Sequence, residues 1–213
     1  MINDYLKNYR KYPITIGLIT ICIGVYIISC ILFGLEMNAQ DGIVFGGFNP
    51  LYVYYNNEYY RLFTANFIHF GILHIAVNCY SLFGLGVFIE RVLKIKKYII
   101  VLVASAISTT LLPYILFLFN GYGSTTISGG ISGVIFGLIG ALGALALTYK
   151  DVFLDVFKQL LPNVLLMLFI SFAIPTISLS GHVSGLIGGF VATYIVLKVK
   201  VKPKRNKYDD LLN

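Results

Sequence analysis

Apolar residues form long runs along this chain, separated by short polar or charged stretches. Six runs stand out, at about residues 13–33, 73–89, 98–119, 131–149, 156–174 and 182–197. Each is close to the roughly 20 residues that an α-helix needs to cross a hydrocarbon layer about 30 Å thick. The pattern therefore predicts an all-α membrane protein with six transmembrane helices.

Composition agrees with a bilayer environment. The 213 residues are 58% hydrophobic and only 12% charged, well outside the range of soluble domains. The run at 13–33 is too long for a signal peptide and lacks a small-residue cleavage site, which predicts a retained first span. Cys22, Cys30 and Cys79 fall inside predicted spans, where they are expected to pack rather than to form disulfides or bind metal.

The basic residues predict the orientation in the membrane. All but Arg61 of the 16 lysines and arginines fall in four clusters, at residues 7–11, 91–97, 150–158 and 198–207. Six spans bring all four clusters to one face, which the positive-inside rule makes cytoplasmic. Both the basic lead, 1–12, and the basic tail, 198–213, are therefore expected in the cytoplasm. This placement explains the net charge of +7 without nucleic-acid binding.

The segment between the first two spans, residues 34–72, is unusually long and aromatic; we call it the first loop. Tyrosine and tryptophan concentrate at the headgroup boundary of membranes. The composition predicts a structured loop lying partly in the outer leaflet, although an ordinary extracellular loop fits equally well. Its aromatic residues are Phe45, Phe48, Tyr52, Tyr54, Tyr55, Tyr59 and Tyr60.

Ser132 is a candidate nucleophile because it lies among glycines where the fourth apolar run begins, in the sequence SGGISGVIFGLIG of residues 128–140. The start of a helix has unpaired N–H groups and a positive dipole end, which can stabilise an oxyanion. Glycine and serine also pack transmembrane helices and cap them, so this stretch alone does not define a site.

Two other spans carry polar residues near one end. His74 and Asn78 lie one turn apart in the second span, and His182 opens the sixth span ahead of Gly185 and Gly189. Polar groups inside a membrane are costly and often functional. The alternative is that they hydrogen-bond neighbouring helices together.

The depths of these residues connect them. Counted along the inward-running spans, Ser132, His182 and His74 lie 18, 16 and 16 residues before the charged residue that ends each span. At 1.5 Å per residue these offsets are about 27, 24 and 24 Å, a single depth just below the outer boundary. His182 can then act as the base that activates Ser132. No acidic residue shares this depth, which favours a Ser–His dyad, with His74 and Asn78 as oxyanion donors.

The ordered motifs resemble those of the rhomboid intramembrane serine proteases, along nearly the whole chain. The motifs are His74-x-x-x-Asn78, Gly130-Ile131-Ser132-Gly133 and His182-x-x-Gly185-x-x-x-Gly189. The resemblance implies a six-transmembrane-helix rhomboid-like bundle over residues 13–197 and peptide hydrolysis without cofactor or metal. It also implies Ser132 as nucleophile, His182 as base, and His74 and Asn78 at the oxyanion site.

Three further positions match the family in part. Tyr60-Arg61 resembles its Trp-Arg signature, and Glu90 matches an acidic position that closes the second helix; both are expected to be structural. Phe136 stands where many members have a tyrosine that packs on the catalytic histidine. A phenyl ring can still stack there, without a hydroxyl.

The expected function is that of an intramembrane serine endopeptidase that cuts other membrane proteins near the outer end of their transmembrane segments. Its partners would be transmembrane substrates and the lipid bilayer, with no nucleic acid. A multi-pass position in a bacterial plasma membrane is expected. The alternative is a non-catalytic relative that binds or moves transmembrane clients. A small-solute transporter would show paired polar groups at mid-membrane or repeated halves, and the sequence has neither.

Overall fold

The computed structural model describes residues 11–173 and 178–198, which are mainly helical. A π-helical stretch, Leu82–Gly86, joins the α-helices Ile72–Ser81 and Val87–Asn120, and a 3₁₀ turn, Ala65–Phe67, follows the short helix Arg61–Thr64. The basic lead and tail lie almost entirely outside the described residues. The α-helices are α1 Pro13–Phe33, α2 Ala39–Val44, α3 Pro50–Tyr55, α4 Arg61–Thr64, α5 Ile72–Ser81, α6 Val87–Asn120, α7 Ser132–Thr148, α8 Lys150–Ala173 and α9 Leu179–Lys198.

The described helices are those of a multi-pass membrane protein. Four helical segments are long and apolar enough to cross a membrane, and α7 is a shorter apolar helix. One of the four, Ile72–Asn120, is 49 residues long. Lys94 interrupts it with a left-handed backbone, φ 64°. The predicted turn between the second and third apolar runs therefore lies at Lys94, inside what is otherwise continuous helix.

The α7 helix lies at the centre, buried along nearly its whole length. Its backbone meets that of α9 directly. A Cβ atom added to Gly189 would overlap the Gly137 carbonyl, and one added to Gly185 would overlap the Gly133 carbonyl. Such an approach requires glycine, because any side chain would hold the helices apart. Gly133 and Gly137 on α7 and Gly185 and Gly189 on α9 thus form two facing close-packing stripes.

Arg61 organises the first loop. Its side chain is buried, and Nη1 donates hydrogen bonds of 2.8 Å to the carbonyl oxygens of Ile43 and Gly47. The guanidinium also lies over the Tyr52 ring, 4.9 Å from its centroid. A single side chain thus ties α2 and the turn that follows it to α4. The first loop contains the three short helices α2 to α4, and the structural role expected of Arg61 is confirmed.

Glu58 supplies the counter-charge for Arg61, at 2.5 Å from its guanidinium. Hydrogen bonds from the Tyr60 hydroxyl and from Arg61 lower the pKa of Glu58 below its ordinary value. The carboxylate therefore remains ionised beside the arginine at neutral pH.

Glu90 fastens α1 to α6. Its buried carboxylate accepts hydrogen bonds from the backbone N–H groups of Ile14 and Thr15, at 3.1 and 2.9 Å, and from the Thr15 hydroxyl at 2.7 Å. The first N–H groups of a helix have no partner within the helix, so a carboxylate there satisfies them and interacts favourably with the dipole. The structural role expected of Glu90 is confirmed.

We predict that Gly189→Ala lowers the thermal unfolding temperature of the purified protein. The added methyl group collides with the Gly137 backbone, an overpacking that costs about 1–3 kcal/mol. Gly24→Ala, inside α1, is the matched control because a Cβ there meets nothing within 4 Å. Its unfolding temperature should stay level or rise, since alanine favours a helix over glycine. Equal effects of the two substitutions would contradict the close contact of α7 and α9.

Candidate active site

The contact between α7 and α9 brings Ser132 and His182 together. Ser132 is the first residue of α7, and His182 lies in the first turn of α9. The distance from Ser132 Oγ to His182 Nε2 is 2.8 Å, a hydrogen bond between residues 50 positions apart. The imidazole is buried, while the serine remains partly accessible. A hydroxyl that donates to a neutral imidazole is the starting arrangement for nucleophilic attack.

Two further side chains hold the imidazole of His182. The Phe136 ring stacks on it with centroids 4.3 Å apart and planes inclined by 16°, so the phenyl ring does pack on this histidine as expected. On the imidazole edge, Nδ1 lies 2.8 Å from the hydroxyl oxygen of Ser171 in α8. The ring is thereby fixed through its face and both of its nitrogens.

His74 and Asn78 in α5 lie beside Gly130, two residues before Ser132. A Cβ atom added to Gly130 would be 2.8 Å from Nε2 of His74 and 3.4 Å from Nδ2 of Asn78. Gly130 has φ 120°, a backbone conformation that favours glycine. The structure therefore brings both predicted oxyanion donors to the start of α7.

The side chains of His74 and Asn78 each have a hydrogen-bond donor that can serve a bound oxygen atom. Nδ1 of His74 accepts a long hydrogen bond, 3.5 Å, from the N–H of Phe70, so a neutral ring carries its proton on Nε2. Asn78 is buried, and no acceptor among the described residues contacts its Nδ2. Buried donors are normally paired. Two donors are thus available to an oxygen atom beside Gly130.

A second histidine, His69, packs against His74 with ring centroids 5.0 Å apart. Its Nδ1 lies 3.1 Å from the carbonyl oxygen of Phe67. Burial, and to a smaller extent the proximity of His74, lowers the pKa of His69 to about 4. His69 is therefore neutral at physiological pH and adds no charge to the site.

A cavity of about 430 Å³ lies beside the site, between the α6–α7 connection and the start of α9, and Ser171 is the residue of its wall that contacts His182. Its wall includes residues 122–128 together with Ser171 and residues 178–180. A larger cavity, about 1060 Å³, lies near Lys94 and Tyr149 at the other end of α7 and is remote from Ser132.

Ser171 is the residue that sequence reasoning missed. Ser132, His182 and His74 lie on three predicted spans that run inward, whereas Ser171 lies on a helix that runs the other way. The sequence feature that could have indicated it is its position near the end of the fifth apolar run, four residues before Pro175.

No group of three or more histidine, cysteine, aspartate or glutamate side chains suited to holding a metal ion occurs within residues 11–173 and 178–198.

Fold and site together define a helical membrane protein with a serine–histidine contact between two glycine-lined helices. The family model of the Rhomboid domain matches residues 56–199, two thirds of the chain, including all four predicted site residues. The chain belongs to the rhomboid family.

Individual relatives agree with this assignment. The chain is 35% identical over 136 residues to Rhomboid protease GluP of Bacillus subtilis (strain 168), a match that covers 63% of this chain and 25% of that protein. It is 29% identical over 155 residues to RHOMBOID-like protein 1 of Arabidopsis thaliana, covering 71% and 38%. With Rhomboid protease GlpG of Yersinia pestis (strain Pestoides F) it shares 27% over 143 residues, covering 64% and 45%. Each match thus spans less than half of the relative's length.

Proposed function

We propose that this chain is an intramembrane serine endopeptidase that hydrolyses peptide bonds near the outer end of transmembrane segments in other membrane proteins. The observation that carries the proposal is the 2.8 Å contact between Ser132 Oγ and His182 Nε2. The relatives named rhomboid protease in two bacteria support the reaction type. A non-catalytic protein that binds or moves clients would have no use for a hydroxyl paired with an imidazole, so the contact favours the enzyme.

The chemistry follows from the two side chains. Ser132 Oγ attacks the scissile carbonyl carbon while His182 Nε2 takes its proton. The tetrahedral intermediate collapses to an ester of Ser132, and the imidazolium gives its proton to the departing amine. Water then attacks the ester with His182 again as base, which releases the second product and restores the serine hydroxyl.

The oxyanion of the tetrahedral intermediate would lie beside Gly130. There it would accept hydrogen bonds from Nε2 of His74, Nδ2 of Asn78 and the backbone N–H of Ser132. Donors held in place before the reaction stabilise developing charge strongly, because they need no reorganisation and compete with little water. The unpartnered Nδ2 of Asn78 supports this assignment.

The proposed arrangement in the membrane has six spans over residues 13–197. The break at Lys94 supports six, because it divides the 49-residue helical segment into two. Both termini would be cytoplasmic, in a bacterial plasma membrane, with the first loop partly in the outer leaflet. The catalytic residues would lie near the outer surface, where the 430 Å³ cavity can admit water.

Replacing either Ser132 or His182 by alanine should abolish cleavage of a model transmembrane substrate in proteoliposomes, with the helical circular dichroism unchanged. The double variant should be no slower than either single variant, because the two residues act as one unit. Gel analysis of purified enzyme and substrate measures this directly. Cleavage by Ser132→Ala at the wild-type rate, in a preparation free of other proteases, would end the proposal.

Asn78→Ala should lower kcat by about 10²-fold and leave a residual rate above that of Ser132→Ala. The size follows from the loss of one oxyanion donor while the others remain. Asn163→Ala, at an exposed position of α8, is the control and should keep wild-type kcat. Unchanged turnover of Asn78→Ala would assign Asn78 to helix packing.

Cleavage should fall at small residues near the outer end of the substrate's span. A regular transmembrane helix hides its carbonyl groups in internal hydrogen bonds, so the substrate has to unwind locally. Glycine makes unwinding easier by about 1 kcal/mol relative to alanine. Mass spectrometry of the products, with a Gly-to-Leu series at the site, locates the cut. Cuts at the cytoplasmic end would show that the proposed orientation is wrong.

A further inference from the structure

Ser171 contacts His182 on the side away from Ser132. It lies in the last turn of α8, with only 4% of its surface exposed. Its Oγ is 2.7 Å from the carbonyl oxygen of Met167, one turn earlier in the same helix, and 2.8 Å from Nδ1 of His182. The sequence motifs of the site do not include this residue.

The two contacts of Ser171 limit which atoms can donate and which can accept in its hydrogen bonds. A serine hydroxyl has one hydrogen to donate and can also accept. The Met167 carbonyl can only accept, so the hydrogen of Ser171 points to it. Both contacts are hydrogen bonds at the same time only when Oγ of Ser171 accepts from His182 and Nδ1 of the imidazole carries the proton.

A proton on Nδ1 of His182 determines whether Nε2, the other ring nitrogen, carries a hydrogen or a lone pair. A neutral imidazole has one N–H and one lone pair. With the proton on Nδ1, the lone pair is on Nε2, 2.8 Å from the Ser132 hydroxyl. Three hydrogen bonds then run in one direction, from Ser132 to His182, from His182 to Ser171 and from Ser171 to Met167. Only this tautomer allows His182 to take the proton of Ser132.

We propose that Ser171 is a positioning residue that holds His182 in the tautomer able to act as a base, by accepting the hydrogen of Nδ1. The inference rests on the proposed function. Among the described residues no carboxylate hydrogen-bonds His182, and the stacked Phe136 ring has no acceptor to offer at the imidazole edge. Ser171 thus takes the orienting position that an acidic residue occupies in a serine protease triad, without adding a charge.

The proton count also shows how Ser171 acts during the reaction. When Nε2 takes the proton of Ser132, the ring becomes a cation with both nitrogens protonated. Nδ1–H keeps its hydrogen bond to Ser171 Oγ, which in turn remains bonded to the Met167 carbonyl. The imidazolium is therefore held in the same orientation, ready to return its proton from Nε2 to the leaving amine. Ser171 itself neither gains nor loses a proton.

A set of variants at one position separates the hydroxyl from its packing. Ser171→Thr keeps the hydroxyl, whereas Ser171→Val has nearly the same shape with a methyl group in its place. Ser171→Ala removes the hydroxyl without adding volume. Ser29→Ala in α1 is the control, because Ser29 is equally buried and its hydroxyl bonds only to the Tyr26 carbonyl of its own helix.

Two measurements are made on each full-length variant. In the substrate assay, Ser171→Ala and Ser171→Val should lose about tenfold or more in kcat with little change in KM, a loss typical of removing a group that orients a functional histidine. Ser171→Thr and Ser29→Ala should remain close to wild type. Nitrogen-15 NMR of histidine-labelled protein then reports the tautomer of His182. The chain has three histidines, so replacement of His69 and of His74 assigns the spectrum.

The wild type and Ser171→Thr should show His182 protonated on Nδ1, and Ser171→Val should show a shift of the proton towards Nε2. Equal kcat in the threonine and valine variants, or an Nδ1–H tautomer that persists in Ser171→Val, would overturn the proposal. The NMR result does not depend on proteolysis. Suppose that the wild type cleaves no substrate, while the tautomer of His182 still differs between the wild type and Ser171→Val. That result would refute the proposed function and leave the positioning of His182 by Ser171 standing.

Discussion

Glycines at positions 133, 137, 185 and 189 allow the backbones of α7 and α9 to meet with no side chain between them. The remainder of the site depends on this contact. Gly133 follows Ser132 directly and lies against Gly185, one turn beyond His182, so the meeting of the backbones sets the distance between hydroxyl and imidazole. In lipid, apolar side chains gain little by leaving the solvent, and helices associate through close packing and polar contacts instead. The glycines thus allow α7 and α9 to pack closely, and the same contact aligns Ser132 with His182.

Two buried charged side chains each join separate parts of the fold. Glu90 joins α1 to α6, and Arg61 joins the turns of the first loop; both are buried, and both have their hydrogen bonds satisfied. A buried charge without partners would be strongly unfavourable. The side chains in direct contact with the His182 ring are the hydroxyls of Ser132 and Ser171 and the phenyl ring of Phe136. Among the described residues, the side chains that hydrogen-bond His182 are therefore uncharged.

Much of the site could be predicted because it repeats a simple relation between sequence and depth. Ser132, His182 and His74 share a distance to the charged end of their spans, and glycine spacing on α7 and α9 indicates which helices approach each other. Ser171 could not be found from the spacing of polar residues. A serine that bonds only to a carbonyl of its own helix and a serine that also contacts a histidine on another helix look the same in the sequence. The role of Glu90 as partner of the α1 N-terminus was equally hidden, since it joins residues about 75 positions apart. Hydrophobic patterns indicate that a residue is buried, but they do not indicate which residues it contacts.

Active-site labelling tests most directly whether the glycine contact creates a reactive serine. A fluorophosphonate reacts with an activated serine hydroxyl, and mass spectrometry of the labelled protein identifies the residue. The account predicts labelling at Ser132 in wild type and in Gly24→Ala, and a large loss of labelling in Gly185→Ala, whose added methyl group would press on the Gly133 carbonyl. Circular dichroism confirms that each variant is folded. Labelling of Gly185→Ala at the wild-type rate, or modification of a serine other than Ser132, would contradict it.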